Sequence, residues 1–534
     1  MASEKIVFIA DKLSKEAVEI LASEKSIRVE NQPGLDFKKK IAVARQCHGL
    51  IVRSQTQVDG EFLNSCENLE VIVRAGVGVD NIDLNASTRK GVAVQNVPGG
   101  NTRSAAEHAV AMMFALARNI PQACSDLREG RWERSKYVGT ELQGKALGLV
   151  GVGKIGAQVL HMAQGLGMRC LVHDPFISPQ KAEELGLELA PDLEALVQSV
   201  DFLTIHVPKT PTTENLISGT LFAKAKPGMR VVNCARGGIV DEDALLEALN
   251  AGTVKGAALD VFSTEPPECR DLVEHPAVIV TPHLGASTRE AQSNVAEGAA
   301  QLMLDYFLQG KLGSPVNAVS LEPGQREGMK PYFDLAYRLG LLQSQLLEGN
   351  PSRIRVRFFG DLFEGDMVRY LGSAALSGFL ENRSAQPVNV INAHHLASEM
   401  GLPVEESTEG RTKYFHQMIK ISVEDSHGVR EVGGTIRGQR GQRFVSLDDY
   451  QFDAVLEGRL LISFNEDRPG MIGVLGNSMA DHEINISYMS LGRDKTGGQA
   501  VALLNLDDDV DSSVLEELAQ RKGILSVKFV RLPQ

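Results

Sequence analysis

The stretch ALGLVGVGKIGAQVLHMAQGLGMRCLVHD, residues 146–174, decides the fold. Its opening run, ALGLV, has the composition of a buried strand. Gly151-Val152-Gly153-Lys154-Ile155-Gly156 follows and opens a helical pattern, and a second short strand, RCLVH, ends on Asp174. Strand, glycine turn, helix, strand and acid in this order make the first half of a nucleotide-binding α/β unit. Gly151 makes the turn, Gly153 lets a pyrophosphate approach the backbone, and Gly156 lets the helix pack on the strand. The helix N-terminus turns free N–H groups and a positive dipole end toward phosphates. Asp174, eighteen residues past the last glycine, can bond both adenosine ribose hydroxyls and would repel a 2′-phosphate. Pro175 and Phe176 bring no arginine to such a phosphate, so the pattern specifies NAD over NADP.

Working outward, short β-branched runs alternate with helical patterns on both sides of this unit. Before it, strands are expected at 5–10, 48–52, 70–73 and 92–95, with helices such as 14–23 and 83–90 between them. After it, strands are expected at 201–206, 229–233, 256–260 and 277–280. Strand alternating with helix gives a parallel sheet covered by helices. A long apolar helix, 101–119, capped by Asn101 or Thr102, separates the two series, and a second, 288–309, follows the last strand. The fold class expected is therefore α/β: a Rossmann NAD-binding domain (98–286) inserted into a flavodoxin-like substrate domain (1–97 and 287–315).

The remaining third changes character. Residues 310–330 mix Gly, Pro and Ser without periodicity and are expected to form a hinge. Strands at 414–424, 429–437 and 442–452 mark a β-rich, α+β intervening domain over 316–455. Residues 456–534 spell strand 459–465, helix 469–481, strands 484–490 and 498–505, helix 511–521 and strand 524–530, the ferredoxin-like βαββαβ order.

Composition excludes several classes. With 534 residues, the chain needs more than one core. A net charge of −13 argues against nucleic-acid or membrane-surface binding. No apolar run approaches the ~20 residues that span a bilayer, and the first strand is too short for a signal-peptide core. None of the six cysteines forms a CxxC pair, which suits free thiols in a reducing, cytoplasmic compartment. His394-His395 are wrongly spaced to share a metal on one helix face, and no metal is expected.

Three polar residues follow strands of the second series, where open α/β sheets bind ligands. Arg236 lies in the loop after 229–233, Glu265 follows 256–260, and His283 follows 277–280. Oxidising a 2-hydroxy acid needs a cation for the carboxylate, a base for the hydroxyl proton and a carboxylate to orient that base. Arg236, His283 and Glu265 match those three needs, and a guanidinium can bind a carboxylate through two hydrogen bonds. In the first series, Arg53-Ser54 and Arg74 follow strands and Asn101 starts a helix beside them, so a second anion could be held there.

With GVGKIG and Asp174, the segments VNCARGGIVDEDAL (232–245), ALDVFSTEPP (258–267) and TPHLGASTREAQ (281–292) resemble the D-isomer-specific 2-hydroxy-acid dehydrogenases, above all their phosphoglycerate-oxidising branch. LIVRSQTQV (50–58), VRAGVGVDNIDL (73–84) and PGGNTRSAAEHA (98–109) support the match, which is most specific over 50–315 and looser over 320–455. The resemblance implies that Arg236 binds substrate, His283 exchanges the proton and Glu265 supports it. It implies NAD contacts at Lys154, Ile155, Asp174, Val207, Cys234, Ala235, Asp260 and the backbone from 283 through Gly285 and Ala286. It places the anionic groups of 3-phosphoglycerate against Arg53, Ser54, Arg74, the Gly76-Val77 turn and Asn101, with Arg134 and Lys136 reaching across a dimer interface beside Trp132. Many relatives carry threonine where this chain has Val77 and Val207. The activity implied is oxidation of 3-phospho-D-glycerate, the first step of L-serine biosynthesis, with reduction of 2-oxoglutarate as a side reaction.

The C-terminal Asn465-Glu466-Asp467-Arg468-Pro469-Gly470 and Asn485-Ile486 resemble an ACT domain. That implies an L-serine effector held by Asn465, Asp467 and Asn485, and modules paired between subunits through a sheet edge or face. Two different twofold contacts would build a homotetramer. The intervening region resembles a domain that in some relatives binds a regulatory anion, for which Arg437, Arg440 and Arg443 are the basic candidates. Two other readings stay open: a glyoxylate/hydroxypyruvate reductase, which needs no second anion site, and an NAD-sensing corepressor, which gains nothing from an ACT module.

Overall fold

The computed structural model of the chain describes residues 4–533 apart from 320, 322, 439 and 440. Arg440 of the expected basic run thus lies outside the described residues.

The first sheet holds β1 (Lys5–Ile9), β2 (Ile27–Asn31), β3 (Gly49–Val52), β4 (Val71–Arg74) and β5 (Ala93–Asn96), all parallel in the order β2-β1-β3-β4-β5. This is the flavodoxin-like order. The central strand GLIV is wholly buried, as helices on both faces require. Strand β2, absent from the sequence expectation, is an edge strand whose IRVEN is only partly buried and carries no clear alternation. Four helices of this lobe start on Ser14, Asp36, Asp59 or Asp83, whose side chains accept the N–H three residues on.

The second sheet is also all parallel: β6 (Ala146–Val150), β7 (Arg169–His173), β8 (Glu188–Leu189), β9 (Phe202–Ile205), β10 (Met229–Asn233), β11 (Val254–Leu259) and β12 (Val278–Val280). Its order is β8-β7-β6-β9-β10-β11-β12. The chain runs from β6 to one edge, then restarts at β9 on the other side. The switch point therefore lies at the carboxyl ends of β6 and β9. Helix Thr102–Arg118 leaves the first lobe and buries Ala106, Ala109, Met112 and Met113 in the second. Helix Arg289–Gln309 returns, burying Val295, Ala299 and Met303 against the first sheet.

The expected hinge at 310–330 is corrected. Gly310 ends the returning helix with φ +61°, but the next residues are strapped to β5. Val316 N–H donates to the Val94 carbonyl at 2.7 Å, Gln95 Oε1 accepts from Gly313 and Ser314, and Asn317 Oδ1 accepts from Val94 N–H. A helix, Pro323–Leu346, then begins inside the expected hinge.

The third sheet contains β13 (Arg353–Phe359), β14 (Val404–Glu409), β15 (Met418–Asp425), β16 (Gly428–Ile436), β17 (Gln442–Leu447) and β18 (Tyr450–Val455), ordered β14-β13-β15-β16-β17-β18. The single strand expected at 442–452 is a hairpin, turned at Asp448 with φ +48°. Two long helices, Pro323–Leu346 and Asp366–Leu380, also escaped the sequence reading. The second is buried all round from Leu371 to Leu380, so it shows no polar face for a 3.6-residue period to reveal. The two helices touch through glycine: a β-carbon on Gly340 would fall 1.9 Å from the Ala375 carbonyl oxygen.

The last sheet, β19 (Arg459–Glu466), β20 (Ile486–Arg493), β21 (Gln499–Leu506) and β22 (Ile524–Arg531), is antiparallel in the order β20-β21-β19-β22. Helices Met471–Asp481 and Ser512–Ala519 cover one face, with Leu461, Met471, Leu475 and Leu504 in that core. The other face carries Leu460, Ile462, Val501, Leu503 and Val530, which share a core with Leu339, Leu342 and Leu346 of helix Pro323–Leu346. Gln345 exchanges hydrogen bonds with the Arg531 backbone alongside. The chain itself thus covers that sheet face. No helix among the described residues is long and apolar enough to cross a membrane.

Candidate active site

A cleft of about 270 Å³ opens at the switch point, between the two parallel sheets. The chain also has a larger cavity, about 690 Å³, between the end of helix Arg289–Gln309 and helices Pro323–Leu346 and Asp366–Leu380. Among the described residues no histidine or cysteine lines that one. His206, Cys234 and His283 line the smaller space.

The glycines of 151–156 are explained by what a side chain would meet. Gly151 has φ +88°, and a β-carbon there would lie 2.7 Å from Val207 Cγ1. On Gly156 it would lie 2.2 Å from the Gly151 carbonyl oxygen, so helix and turn touch. A β-carbon on Gly153 would meet nothing within 4 Å, so this side of the helix N-terminus is open to a ligand. Asp174 accepts from Val152 N–H at 2.8 Å through one oxygen and from Phe176 N–H at 2.9 Å through the other. The carboxylate is thus fixed beside the glycine turn, and each oxygen keeps a lone pair for a ribose hydroxyl. Turn, helix end and acid fit a dinucleotide, and Lys154, Ile155, Val207, Cys234, Ala235, Gly285 and Ala286 line the cleft where its other half would extend. Burial pushes the Cys234 thiol up and holds His206, in the same wall, down to about 4, so both are neutral.

His283 and Glu265 form a pair, with Nδ1 2.8 Å from Glu265 Oε2. Phe262 N–H donates to the other Glu265 oxygen at 3.2 Å and fixes the carboxylate. Held at Nδ1, the ring leaves Nε2 for a substrate hydroxyl. His283 sits at φ +55°, a left-handed conformation costly for a residue with a side chain. Asp260 supports it. The Asp260 carbonyl accepts from His283 N–H at 2.9 Å, and its carboxylate accepts from Leu284 and Gly285 N–H at 2.7 and 2.8 Å. Thr281 Oγ1 donates to it at 2.6 Å and His108 Nε2 stands 3.2 Å away. Burial pushes this acid's pKa up, but the donors outweigh burial and hold it below its usual value. The resemblance gave Asp260 only a cofactor contact; the fold also makes it the anchor of the base's loop.

The arginines converge from both lobes. Arg236 extends from the loop after β10 with NH1 on the Ala235 carbonyl at 2.8 Å and Nε 3.2 Å from Asp80 of the first lobe. Gly237 is obligatory there, because a β-carbon would lie 1.7 Å from the Phe262 carbonyl oxygen. The Arg74 guanidinium lies over Gly76, its NH1 only 1.6 Å from where a β-carbon would be, and its Nε is buried without a partner. Burial, then the nearby charges of Arg236 and Arg53, lower Arg74 to about 10, still cationic at neutral pH. The loop carrying Arg53 and Ser54 is fixed by a buried network the sequence reading missed. Asp11 accepts from Arg53 N–H at 2.6 Å and from Thr56 Oγ1 at 2.6 Å, and Lys40 stands 3.3 Å from it. Asn81 Nδ2 donates to the Arg53 and Thr56 carbonyls. Val77 lines the cleft, and its carbonyl accepts from Asn96. Asn101 precedes helix Thr102–Arg118 but makes no cap hydrogen bond; its Oδ1 is buried, unpartnered and beside the cleft.

Other expected residues do not join. Arg134 and Lys136 sit on an exposed arm of the same chain, where Lys136 pairs with Asp126 at 2.8 Å and Trp132 is 77% exposed. Arg437 and Arg443 both pair with Asp453. The effector residues divide: Asn465 and Asp467 stay together at the end of β19, where Asp467 accepts from Gly497 N–H, while Asn485 precedes β20 at the opposite end of the sheet and donates to Asp507. Within one chain they form no common site.

Three comparisons bear on this arrangement. Residues 110–285 match the family model of the D-isomer specific 2-hydroxyacid dehydrogenase NAD binding domain. Residues 328–448 match the D-3-phosphoglycerate dehydrogenase intervening domain, and 459–523 an ACT domain. The D-3-phosphoglycerate dehydrogenase of Archaeoglobus fulgidus is 40% identical over 98% of this chain and 100% of its own. Among solved structures, NAD+-bound 3-phosphoglycerate dehydrogenase of Entamoeba histolytica is similar at 30% identity and TM-score 0.51, over 59% of this chain and 99% of its own. A Paecilomyes thermophila glyoxylate reductase is similar at 25% and 0.54, over 59% and 99%. The two-lobed fold is thus shared by enzymes with different substrates.

Proposed function

We propose that this chain, which belongs to the D-3-phosphoglycerate dehydrogenase family, oxidises 3-phospho-D-glycerate to 3-phosphooxypyruvate with NAD, the first step of L-serine biosynthesis. The observation that carries the substrate is that Arg74 and Arg236, from different lobes, pack over Gly76 and Gly78 of one turn beside the cleft. A simple 2-hydroxy acid has one anionic group and needs one grip. A phosphorylated one needs two, set apart: Arg236 for the carboxylate, and Arg74 and Arg53 with Ser54 for the phosphate. His283 Nε2 takes the C2 hydroxyl proton while Glu265 orients the ring and stabilises the imidazolium that forms. The 151–156 turn and Asp174 would hold NAD, which when bound would supply the hydride acceptor. The hydride would leave C2 with the C–H electron pair, while the O–H pair freed by proton loss to His283 closes the C2 carbonyl. The exposed apolar residues Phe114, Ile120, Leu127, Trp132 and Val138 support a contact with a second copy, across which Arg134 would reach a neighbouring cleft. A second contact through the ACT module would make a cytoplasmic homotetramer.

The test is NADH formation over a panel of 2-hydroxy acids with and without a phosphate group. The expected outcome is a kcat/KM for 3-phosphoglycerate far above those of glycerate, lactate and glycolate. Equal turnover of the unphosphorylated acids, or faster reduction of glyoxylate or hydroxypyruvate, would sink the reading.

A further inference from the structure

One charged side chain beside Arg236 has no task in this scheme: Asp80. It comes from the first lobe and stands 3.2 Å from Nε of Arg236, which comes from the second. Both pack over Gly78, where a β-carbon would fall 2.0 Å from the Arg236 guanidinium and 2.8 Å from the Asp80 carboxylate. Only glycine lets the two charges lie so close to the backbone of this loop. With Nε facing Asp80 and one NH1 hydrogen on the Ala235 carbonyl, the edge left for a ligand is the NH1–NH2 end. That end meets a carboxylate through two parallel hydrogen bonds.

The Asp80 side chain is 70% exposed, so as an ion pair it adds little to stability. Its value lies in where it points Arg236. Asp80 also acts on Arg74, whose acidity responds to Asp80 and Arg236 with opposite signs. One carboxylate therefore stands on the turn over which both Arg74 and Arg236 pack.

We propose that Asp80 is a positioning residue that sets the two grips against each other. It fixes the Arg236 fork for the substrate carboxylate, and its charge moderates the pull of Arg74 and Arg53 on the phosphate. The inference rests on the proposed function, because it needs a substrate with two anionic ends. Removing the charge while keeping the shape then moves the grips in opposite directions. A loosened fold would weaken both.

The experiment uses full-length Asp80→Asn and Asp80→Glu, with 3-phosphoglycerate and D-glycerate as substrates and inorganic phosphate as a competitive inhibitor. Asp80→Asn is expected to lower kcat/KM about tenfold for both substrates, with part of the loss in kcat, the order expected when a grip is slightly misaligned. Phosphate inhibition should become about threefold tighter at low salt, and the gain should fade at high salt as screening removes the added attraction. Asp80→Glu should recover most of kcat/KM. Unchanged kcat/KM in Asp80→Asn overturns the proposal, and so does a weakening of phosphate in parallel with both substrates. If the unaltered enzyme itself does not prefer the phosphorylated acid, the proposed function falls and the two-grip assignment falls with it.

Discussion

In the cleft, residues as far apart as Asn101 and His283 line one space within one chain; in the C-terminal module, Asn465 and Asp467 stand at one end of the sheet and Asn485 at the other. The difference follows from strand direction. Arg53, Arg74, Arg236, Asp260 and His283 each follow a strand of a parallel sheet, and parallel strands deliver their carboxyl ends to one edge. Asn465 closes β19, whereas Asn485 opens β20 after the chain has crossed back along helix Met471–Asp481. Eleven helical residues carry it about 16 Å away. Residues after strands collect; a residue after one strand and another before the next are held apart. A site in the module needs a second copy to bring opposite ends together, while the cleft lacks at most the arm bearing Arg134.

The largest expected effect tests whether the cleft is complete. His283→Ala should lower kcat by roughly 10²–10⁴-fold, the usual loss of general acid–base help, with NAD affinity little changed. Steady-state kinetics with a separate NAD titration checks this. A kcat within a few-fold of the unaltered enzyme would mean that the His283–Glu265 pair is not the proton acceptor, however well formed.

A smaller effect sharpens the division between lobes. Arg74→Ala should raise KM for 3-phosphoglycerate by about ten- to a hundredfold, as expected for losing a charge-assisted hydrogen bond to phosphate. The KM for D-glycerate should hardly move, because its single carboxylate belongs to Arg236. If both rise together, Arg74 supports the lobe rather than reading the phosphate.

How much of this was legible depends on how local each cause is. The 151–156 turn was readable because each glycine answers a need within a few residues, and Asp174 follows from the same unit. Arg236, Glu265 and His283 were readable because each follows an apolar strand. Asp11, Lys40, Thr56 and Asn81 were not, since four polar residues in separate segments give no sign that they close one buried network. Asp80 lay inside the quoted VRAGVGVDNIDL, but only the meeting of two lobes gives it a partner. Helix Asp366–Leu380 hid for the opposite reason: burial on every side erases the periodicity by which helices are found. The strap at 313–317 looked like a hinge because Gly, Ser and Pro serve a strand-edge crossing as well as a flexible joint.

The smallest effect concerns the module whose residues stand apart. If L-serine binds where two copies meet, Asn485 must give up or share the hydrogen bond it now makes to Asp507 at 2.6 Å. An amide already donating to a carboxylate keeps its carbonyl oxygen free to accept, so serine's ammonium group could be taken without breaking that bond. Asn485→Ala should therefore weaken serine inhibition several-fold and leave the substrate KM and uninhibited kcat unchanged, since the residue lies far from the cleft. Serine can inhibit only by binding the less active arrangement more tightly. The module shares a core with helix Pro323–Leu346, whose first turn holds Arg326 on the Gly310 carbonyl at 2.8 Å, at the end of the helix that packs under the first sheet. Initial rates across a serine titration, for the unaltered chain and Asn485→Ala, decide the matter. A chain indifferent to millimolar serine, or an Asn485→Ala variant inhibited as strongly as its parent, would leave the module the single task of joining subunits.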